Sequence, residues 1–365
     1  MKSLSVKRYF RKCSWLLATM RSVRRKINDV RINRINRKYK RTIRPLYDVV
    51  VMKKKMEEID DIIRNRLSDA TFYVISQSNE KVGIFGYINC FLPHIAYAVS
   101  KGYVPVIDMQ SHHYIYSSPD GSRENVWEMF FEQPCGIGLD DIVGKKVIRC
   151  SEDLWYHWLP NSCPMMSDED ILLWSRLYHK YIKPNQTLSV YMDDEVNQIL
   201  KNADKTIAAI YRGTTYTKGQ AKGHPIQPTM KMLADMVEKK MSENNCDMIY
   251  LASDEKSIVN YFNDRFENKV LINKRVFYDE VEDINYSNYN VDGSDITGNL
   301  FNRENNQYLI GAEYISSMNI VSKCKCLVAG ACGGTTAVLY MNGLCFRDRY
   351  IFDLGKYGID PLPNE

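Results

Sequence analysis

Ten cysteines are spread along this 365-residue chain without a single Cys-x-x-Cys pair, and only Cys324 and Cys326 lie close together. Zinc-type ligand spacing is therefore missing. A chain of this length can bury a core without disulfide staples, so scattered thiols fit a reducing cytosol. Of the six histidines only His112 and His113 are adjacent, and neighbouring side chains on a strand face opposite ways. The expectation is no metal site. No window approaches the ~20 apolar residues of a membrane span. Ser14 to Met20 is apolar but too short for a signal-peptide core, and Arg21, Arg24 and Arg25 follow it at once. Two nucleotide signatures are absent as well. There is no Walker-type Gly-Lys-Ser/Thr, and no Gly-x-Gly-x-x-Gly behind a strand with an acid beyond it, which argues against an NAD enzyme. No internal repeat is visible.

What is present is an ordinary globular composition, 45% hydrophobic and 25% charged. The length suggests two domains. The net charge of +5 hides a split. Residues 1–45 carry sixteen Lys/Arg and one acid, Asp29, a net of +15 that leaves −10 for the remainder. An acidic body argues against nucleic-acid binding, which needs a basic tracking surface. Residues 1–45 read as a basic arm, helical or disordered, in which Tyr9, Trp15, Leu16, Leu17 and Met20 supply apolar contacts. Such a segment suits an anionic membrane surface. The expected organisation is this arm, an N-terminal α/β domain over 46–204, a C-terminal Rossmann-type domain over 205–345, and a tail over 346–365.

Periodicity supports two successive α/β halves. Met52, Met56, Ile59, Ile62 and Ile63 recur at helical spacing. Strands are expected at 70–76 and 104–108, flanking a glycine-bearing turn at 83–90 and a helix over 91–101 that Gly102 ends. Residues 109–165 are irregular and aromatic, and 167–203 read as helices. The second half gives strands at 206–211, 248–253, 270–272 and 326–329. Helices are expected at 229–243, 255–263, 307–321 and 337–342. Residues 279–306 are polar and read as a long mobile loop.

Three strand ends in the second half converge on one kind of ligand. The first strand ends in Arg212-Gly213-Thr214-Thr215-Tyr216, followed by Gly223-His224-Pro225. Arginine suits a diphosphate because its planar fork donates two parallel hydrogen bonds and stays charged. Ser253-Asp254-Glu255 follows the second strand, where an acid can accept from a ribose or base, or cap the next helix. Gly333-Gly334-Thr335-Thr336 follows the last strand and opens a helix, whose N–H groups and hydroxyls can approach an anion. Together these describe a nucleotide-diphosphate site.

These residues resemble, in order and spacing, the C-terminal half of the α1,6-/protein-O-fucosyltransferase superfamily, and more closely bacterial glycosyltransferases of that type. The matching elements are Arg212-Gly213-Thr214-Thr215-Tyr216, His224-Pro225-Ile226, Ala252-Ser253-Asp254, and Leu327-Val328 leading into Gly333-Gly334-Thr335-Thr336. In the first half, Gly86-Tyr87-Ile88-Asn89 resembles the family's Gly-x-x-Asn turn, and Trp127-Glu128 to Gln133-Pro134 a segment of its bacterial members. The resemblance covers roughly 70–345. It implies a GT-B fold, two Rossmann-type domains facing a cleft, with a GDP-sugar as donor substrate, a glycan acceptor, and neither metal nor other cofactor. Arg212 would neutralise the leaving diphosphate. His224 would order the loop or touch the nucleotide, Asp254 would face the nucleoside, Thr335 and Thr336 would hold phosphate oxygens, and Gly86 and Asn89 would form the facing wall. Two departures stand out. The family's loop acid is Thr215 here, and the acid proposed further along as a base falls at Gln220; neither takes a proton. The histidine two residues before the arginine is Ile210. The base is unassigned: Glu128, Glu132 and Asp108 are candidates, and an acceptor hydroxyl that needs little help from a base is the alternative. The expected function is transfer of fucose from GDP-fucose to a surface glycan or its lipid-linked precursor, by a cytoplasmic protein peripheral on the inner membrane face. A different nucleotide sugar, or an inactive nucleotide- or glycan-binding relative, are the alternatives.

Overall fold

The structure is a computed structural model that describes residues 34, 37–78, 82–118, 122–150, 166–217, 219–220, 222–280 and 301–362. Most of the basic arm, and residues 281–300 of the expected loop, lie outside the described residues.

The first half runs α1 (Val49–Asn65), β1 (Thr71–Ser76), α2 (Ile84–Lys101), β2 (Val104–Asp108), β3 (Lys146–Arg149), α3 (Asp168–Tyr181) and α4 (Gln186–Ile199). Its parallel sheet has the order β2-β1-β3. The second half runs β4 (Thr206–Tyr211), a single turn α5 (Thr214–Thr217), α6 (Met230–Asn244), β5 (Met248–Ser253), α7 (Lys256–Phe266), β6 (Val270–Leu271), α8 (Asn306–Lys323), β7 (Cys326–Gly330), α9 (Gly333–Asn342) and β8 (Asp348–Phe352). Its parallel sheet is β6-β5-β4-β7-β8. The expected α/β class with two Rossmann-like sheets is what the chain forms.

The inner strands β1, β4, β5 and β7, with β2, are buried on two faces, which is why they read as continuous apolar runs, whereas β3 at the edge of the first sheet is exposed along its length. β4 is buried throughout. Ala208 and Ile210 face one core, while Ile207, Ala209 and Tyr211 face another, as period-2 alternation requires. In β1, Tyr73 and Ile75 join the same core as Ala208 and Ile210, whereas Phe72 and Val74 face a smaller one. One apolar layer, built largely from α2, α3, α8 and α9, is therefore shared by both sheets. Each fully buried aliphatic or aromatic side chain in it contributes about 1.5–3 kcal/mol.

Several boundaries differ from the sequence expectation. α2 begins at Ile84, so Gly86 and Asn89 lie inside the helix rather than in a turn before it. Gly83 is the N-cap, and the Tyr116 hydroxyl accepts from the Ile84 N–H at 2.8 Å. α9 likewise begins at Gly333, with the Cys332 thiol accepting from Thr335 N. Neither cap is one of the usual Ser, Thr, Asp or Asn residues. The expected tail at 346–365 contains β8, which pairs with β7 from Asp348 to Phe352 and completes the sheet. The folded body also begins before residue 46. Ile43 and Leu46 are 3% and 1% exposed in the shared core, and the Tyr39 hydroxyl lies 3.3 Å from that of Tyr73.

The segment after β2 protects that strand's open edge. Gln133 Nε2 donates to the Ile107 carbonyl and its Oε1 accepts from the Ile107 N–H, both at 2.9 Å. Asn125 accepts from Met109 N and donates to Ile107 O. Two side-chain amides thus stand in for a neighbouring strand, one way in which exposed edges are blunted. Among the described residues no helix is long and apolar enough to cross a membrane.

Candidate functional site

The carboxyl ends of β6, β5, β4 and β7 present, in that spatial order, Arg275, Asp254, Arg212 and the first turn of α9. Ligands of open parallel sheets bind at this edge. The N–H groups in the first turn of a helix have no intrahelical partner and carry partial positive charge.

Arg212 forms an ion pair with Asp254 across the edge, guanidinium to carboxylate. Asp254 is 4% exposed on its side chain and Arg212 26%. Asp254 also accepts from Gly213 N at 3.3 Å, and its own carbonyl accepts from Tyr278 N at 2.9 Å. The acid therefore orients the arginine fork and the backbone beside it. The alternative role open to Asp254, capping α7, is taken by Asp279, which accepts from the N–H groups of Lys256 and Ser257 at 2.6 and 2.8 Å. Burial pushes the Asp279 carboxyl up, and those N–H donors outweigh it, leaving its pKa below the usual value.

Gly213 has a steric reason. A Cβ there would lie 2.1–2.6 Å from the side chain of Glu255, which is 3% exposed. Gly330, at the end of β7, makes room in the same way for the Gln227 amide, which donates to Ala331 O at 2.9 Å. Gly334 admits the Tyr314 hydroxyl of α8. The small residues that read as an anion loop also serve close packing.

The Arg212 loop folds over itself. The Arg212 guanidinium lies 5.7 Å from the Tyr216 ring centre, and that ring meets the His224 ring at 5.3 Å. His224 keeps one side open to solvent, yet desolvation by the surrounding protein lowers its pKa, which favours a neutral ring. Its segment pairs with the chain after β8: Gly223 N donates to Tyr357 O, Tyr357 N to His224 O, and Ile226 N to Gly355 O, each at 2.9 Å.

The remaining expected residues are more occupied. The Thr335 hydroxyl donates to Gly330 O at 2.6 Å and the Thr336 hydroxyl to Cys332 O at 3.2 Å, so each proton is committed to the backbone, and the Thr335 oxygen also lies 3.3 Å from the Cys332 thiol. Asn89 donates to Gly333 O at 3.1 Å and accepts from the Tyr340 hydroxyl at 2.9 Å. It fastens α2 to the start of α9. Gly86 lies in the first turn of α2, its N–H bonded to Gly83 O.

A narrow cavity at the edge is lined by Arg212, Asp254, Arg275, Tyr314, Met318 and Cys332 among others. Arg275 and Tyr314 carry no sequence signal. Arg275 follows a two-residue strand, and Tyr314 reads as one more apolar position on a helix. Glu128 and Glu132 line a different cavity, of about 800 Å³, beside the β2 edge. There Glu128 accepts from Asn125 at 3.2 Å and Gln133 at 2.7 Å. Asp108 is 1% exposed. Burial raises its pKa, but bonds from Ser111 and Gln110, with Arg149, outweigh this and hold it below the usual carboxylate value. Among the described residues no group of three His, Cys, Asp or Glu side chains could hold a metal ion.

No protein-family model matches the sequence, and no curated protein matches it. Among solved structures the chain is similar to the fucosyltransferase NodZ from Bradyrhizobium, at 13% identity over 74% of this chain and 92% of that one, with a TM-score of 0.41. It is similar to NodZ α-1,6-fucosyltransferase soaked with GDP-fucose, at 15% identity over 79% and 97%, TM-score 0.45. It is also similar to a mutant of Arabidopsis thaliana FUT1 in complex with GDP, at 12% identity over 88% and 78%, TM-score 0.42.

Proposed function

We propose that this chain is a glycosyltransferase that takes its sugar from a nucleoside diphosphate, and that the donor is GDP-fucose. The observation that carries this reading is the placement of Arg212. It stands at the carboxyl end of the central strand β4, oriented by Asp254, on one cavity with Cys332, the N-cap of α9. A fixed cation and a helix N-terminus are what a leaving diphosphate needs as negative charge grows on it. Inverting transfer without a metal would draw its electrophilic assistance from these groups alone. The motif order around Arg212, His224 and Asp254 supports fucose as the sugar. In this reading the second half binds the donor and the first half the glycan acceptor, a surface glycan or its lipid-linked precursor. The basic arm would dock the protein at the inner membrane face.

Calorimetric titration of GDP, UDP and ADP into wild type and Arg212→Ala, without metal, tests the reading. The expected result is GDP binding that the variant loses. Preference for UDP would keep the transferase and discard fucose. Absence of binding by all three would remove the catalytic reading.

A second reading, a nucleotide-binding relative without transferase activity, draws on Thr215 and Gln220 where the family has acids. Slow hydrolysis of GDP-fucose by the purified protein would count against it.

A further inference from the structure

Arg275 lies in a segment held firmly on both sides. Before it, Asn273 is 1% exposed and donates to Glu313 O at 3.0 Å and Glu195 Oε2 at 3.3 Å. After it, Tyr278 N bonds to Asp254 O and Asp279 caps α7. The backbone thus delivers the Arg275 side chain to the cavity that Arg212 also lines.

The carboxylates around it are already engaged. Asp254 is paired with Arg212, Glu313 with Arg303 at 2.5 Å, Glu195 accepts from Asn273, and Asp279 accepts from the α7 backbone. Arg275 forms no ion pair among the described residues, and its Nε is buried without a hydrogen bond. A partly buried guanidinium in this position is costly to the folded state unless an anion meets it. Five donors in a planar fork fit phosphate oxygens. Two strand spacings, roughly 10 Å, separate the ends of β4 and β6; Arg212 directly follows β4, Arg275 lies four residues beyond β6, and both line one narrow cavity of about 20 Å³, so a diphosphate between them would lie across its mouth.

We infer that Arg275 is the second cation of the nucleoside-diphosphate site: the diphosphate lies between the Arg212 and Arg275 forks, with Asp254 on the strand between them holding Arg212 in register. This rests on the proposed donor site, and it adds to that site a residue outside the motifs around Arg212, His224 and Asp254. It also accounts for an arginine that has no ion pair among the described residues and a buried Nε without a hydrogen bond there.

The test uses the full chain and its variants Arg275→Met and Arg275→Lys, titrated without metal with GDP, ADP and inorganic pyrophosphate. Arg275→Met is expected to weaken GDP and pyrophosphate together by at least ~10-fold, the loss of a charge-assisted bidentate contact. Arg275→Lys should recover part of that loss. The melting temperature of ligand-free Arg275→Met should equal or exceed that of wild type, because a partly buried cation with no ion pair among the described residues has been removed. A lower melting temperature with unchanged GDP affinity would make Arg275 structural and overturn the inference. Weakened GDP with untouched pyrophosphate, and a lost preference for GDP over ADP, would place Arg275 on the base and overturn it too. If wild type binds GDP through Arg212 and Arg275→Met binds it equally well, the inference falls and the donor site stands. If wild type binds none of the three probes, the donor site itself falls.

Discussion

At the scale of single residues, the site depends on side chains that leave little freedom to their neighbours. Gly213→Ala would drive a methyl group into the buried Glu255 side chain and displace the backbone that carries Arg212. An overpacking cost of about 1–3 kcal/mol is expected, together with weaker GDP binding. Melting and titration should therefore move in the same variant, and a stable variant of undiminished affinity would refute the account. A second residue-scale expectation concerns pH. His94 is fully buried, bonded through Nδ1 to the Tyr73 hydroxyl at 3.1 Å, and desolvation lowers its pKa to about 3. The folded value lies below the unfolded one, near 6.5. Above pH ~7 both states hold the ring neutral and nothing is lost. As pH falls through 6.5 the unfolded chain takes up a proton that the folded chain refuses, so stability drops by about 1.4 kcal/mol per pH unit until the folded value is reached. Denaturant titration of wild type and His94→Gln at pH 7 and pH 5.5 should show a steeper loss in wild type. Equal slopes would contradict the burial argument.

Elements were legible where hydrophobic period and length coincide. The strands 206–211 and 248–253 follow from continuous apolar runs bounded by polar residues, and the structure places β4 and β5 at those residues. Helix starts were less legible because the capping chemistry is unusual or remote. Gly83 and Cys332 are weak cap signals, so α2 and α9 start earlier than their patterns suggest. Asp279 caps α7 from 23 residues away, a pairing no local spacing could reveal. The same holds for the site. Arg212 announces itself by ending an apolar strand, whereas Arg275 sits behind two strand residues in a segment with no period. Gln133 is a further case, since an amide that substitutes for a β-strand looks like any loop glutamine. Gln133→Leu would take the side-chain acceptor from the Ile107 N–H and one of two side-chain donors from its carbonyl, at a residue that is 0% exposed. A loss of about 1–3 kcal/mol is expected, measurable by urea unfolding. A change below ~0.5 kcal/mol would show that the Ile107 N–H finds another acceptor, such as water from the adjoining cavity, and would refute the edge role of Gln133.

At the scale of the whole molecule, the two halves meet through contacts far apart in sequence. Asn89 binds Gly333 and Tyr340, and Gly311 of α8 admits the Phe130 ring. The charge is divided differently, between this joined acidic body and its basic N-terminal arm. Because Ile43 and Leu46 belong to the core, a clean test of the arm removes residues 1–36 and no more. Those residues hold eleven Lys/Arg and one acid, a net of +10, and their removal turns the chain from +5 to −5. Each basic residue near an anionic surface contributes about 1 kcal/mol, an attraction screened within a Debye length of ~10 Å at 0.1 M salt. The full chain should therefore sediment with phosphatidylserine vesicles at low salt, release as salt rises, and ignore neutral vesicles. The chain lacking residues 1–36 should stay in solution under all three conditions while keeping GDP affinity, since Arg212, Asp254 and Arg275 lie in the other half. Equal vesicle binding by the two chains would refute the arm as a membrane contact, and lost GDP affinity in the shorter one would mean that the arm supports the fold of the proposed donor site.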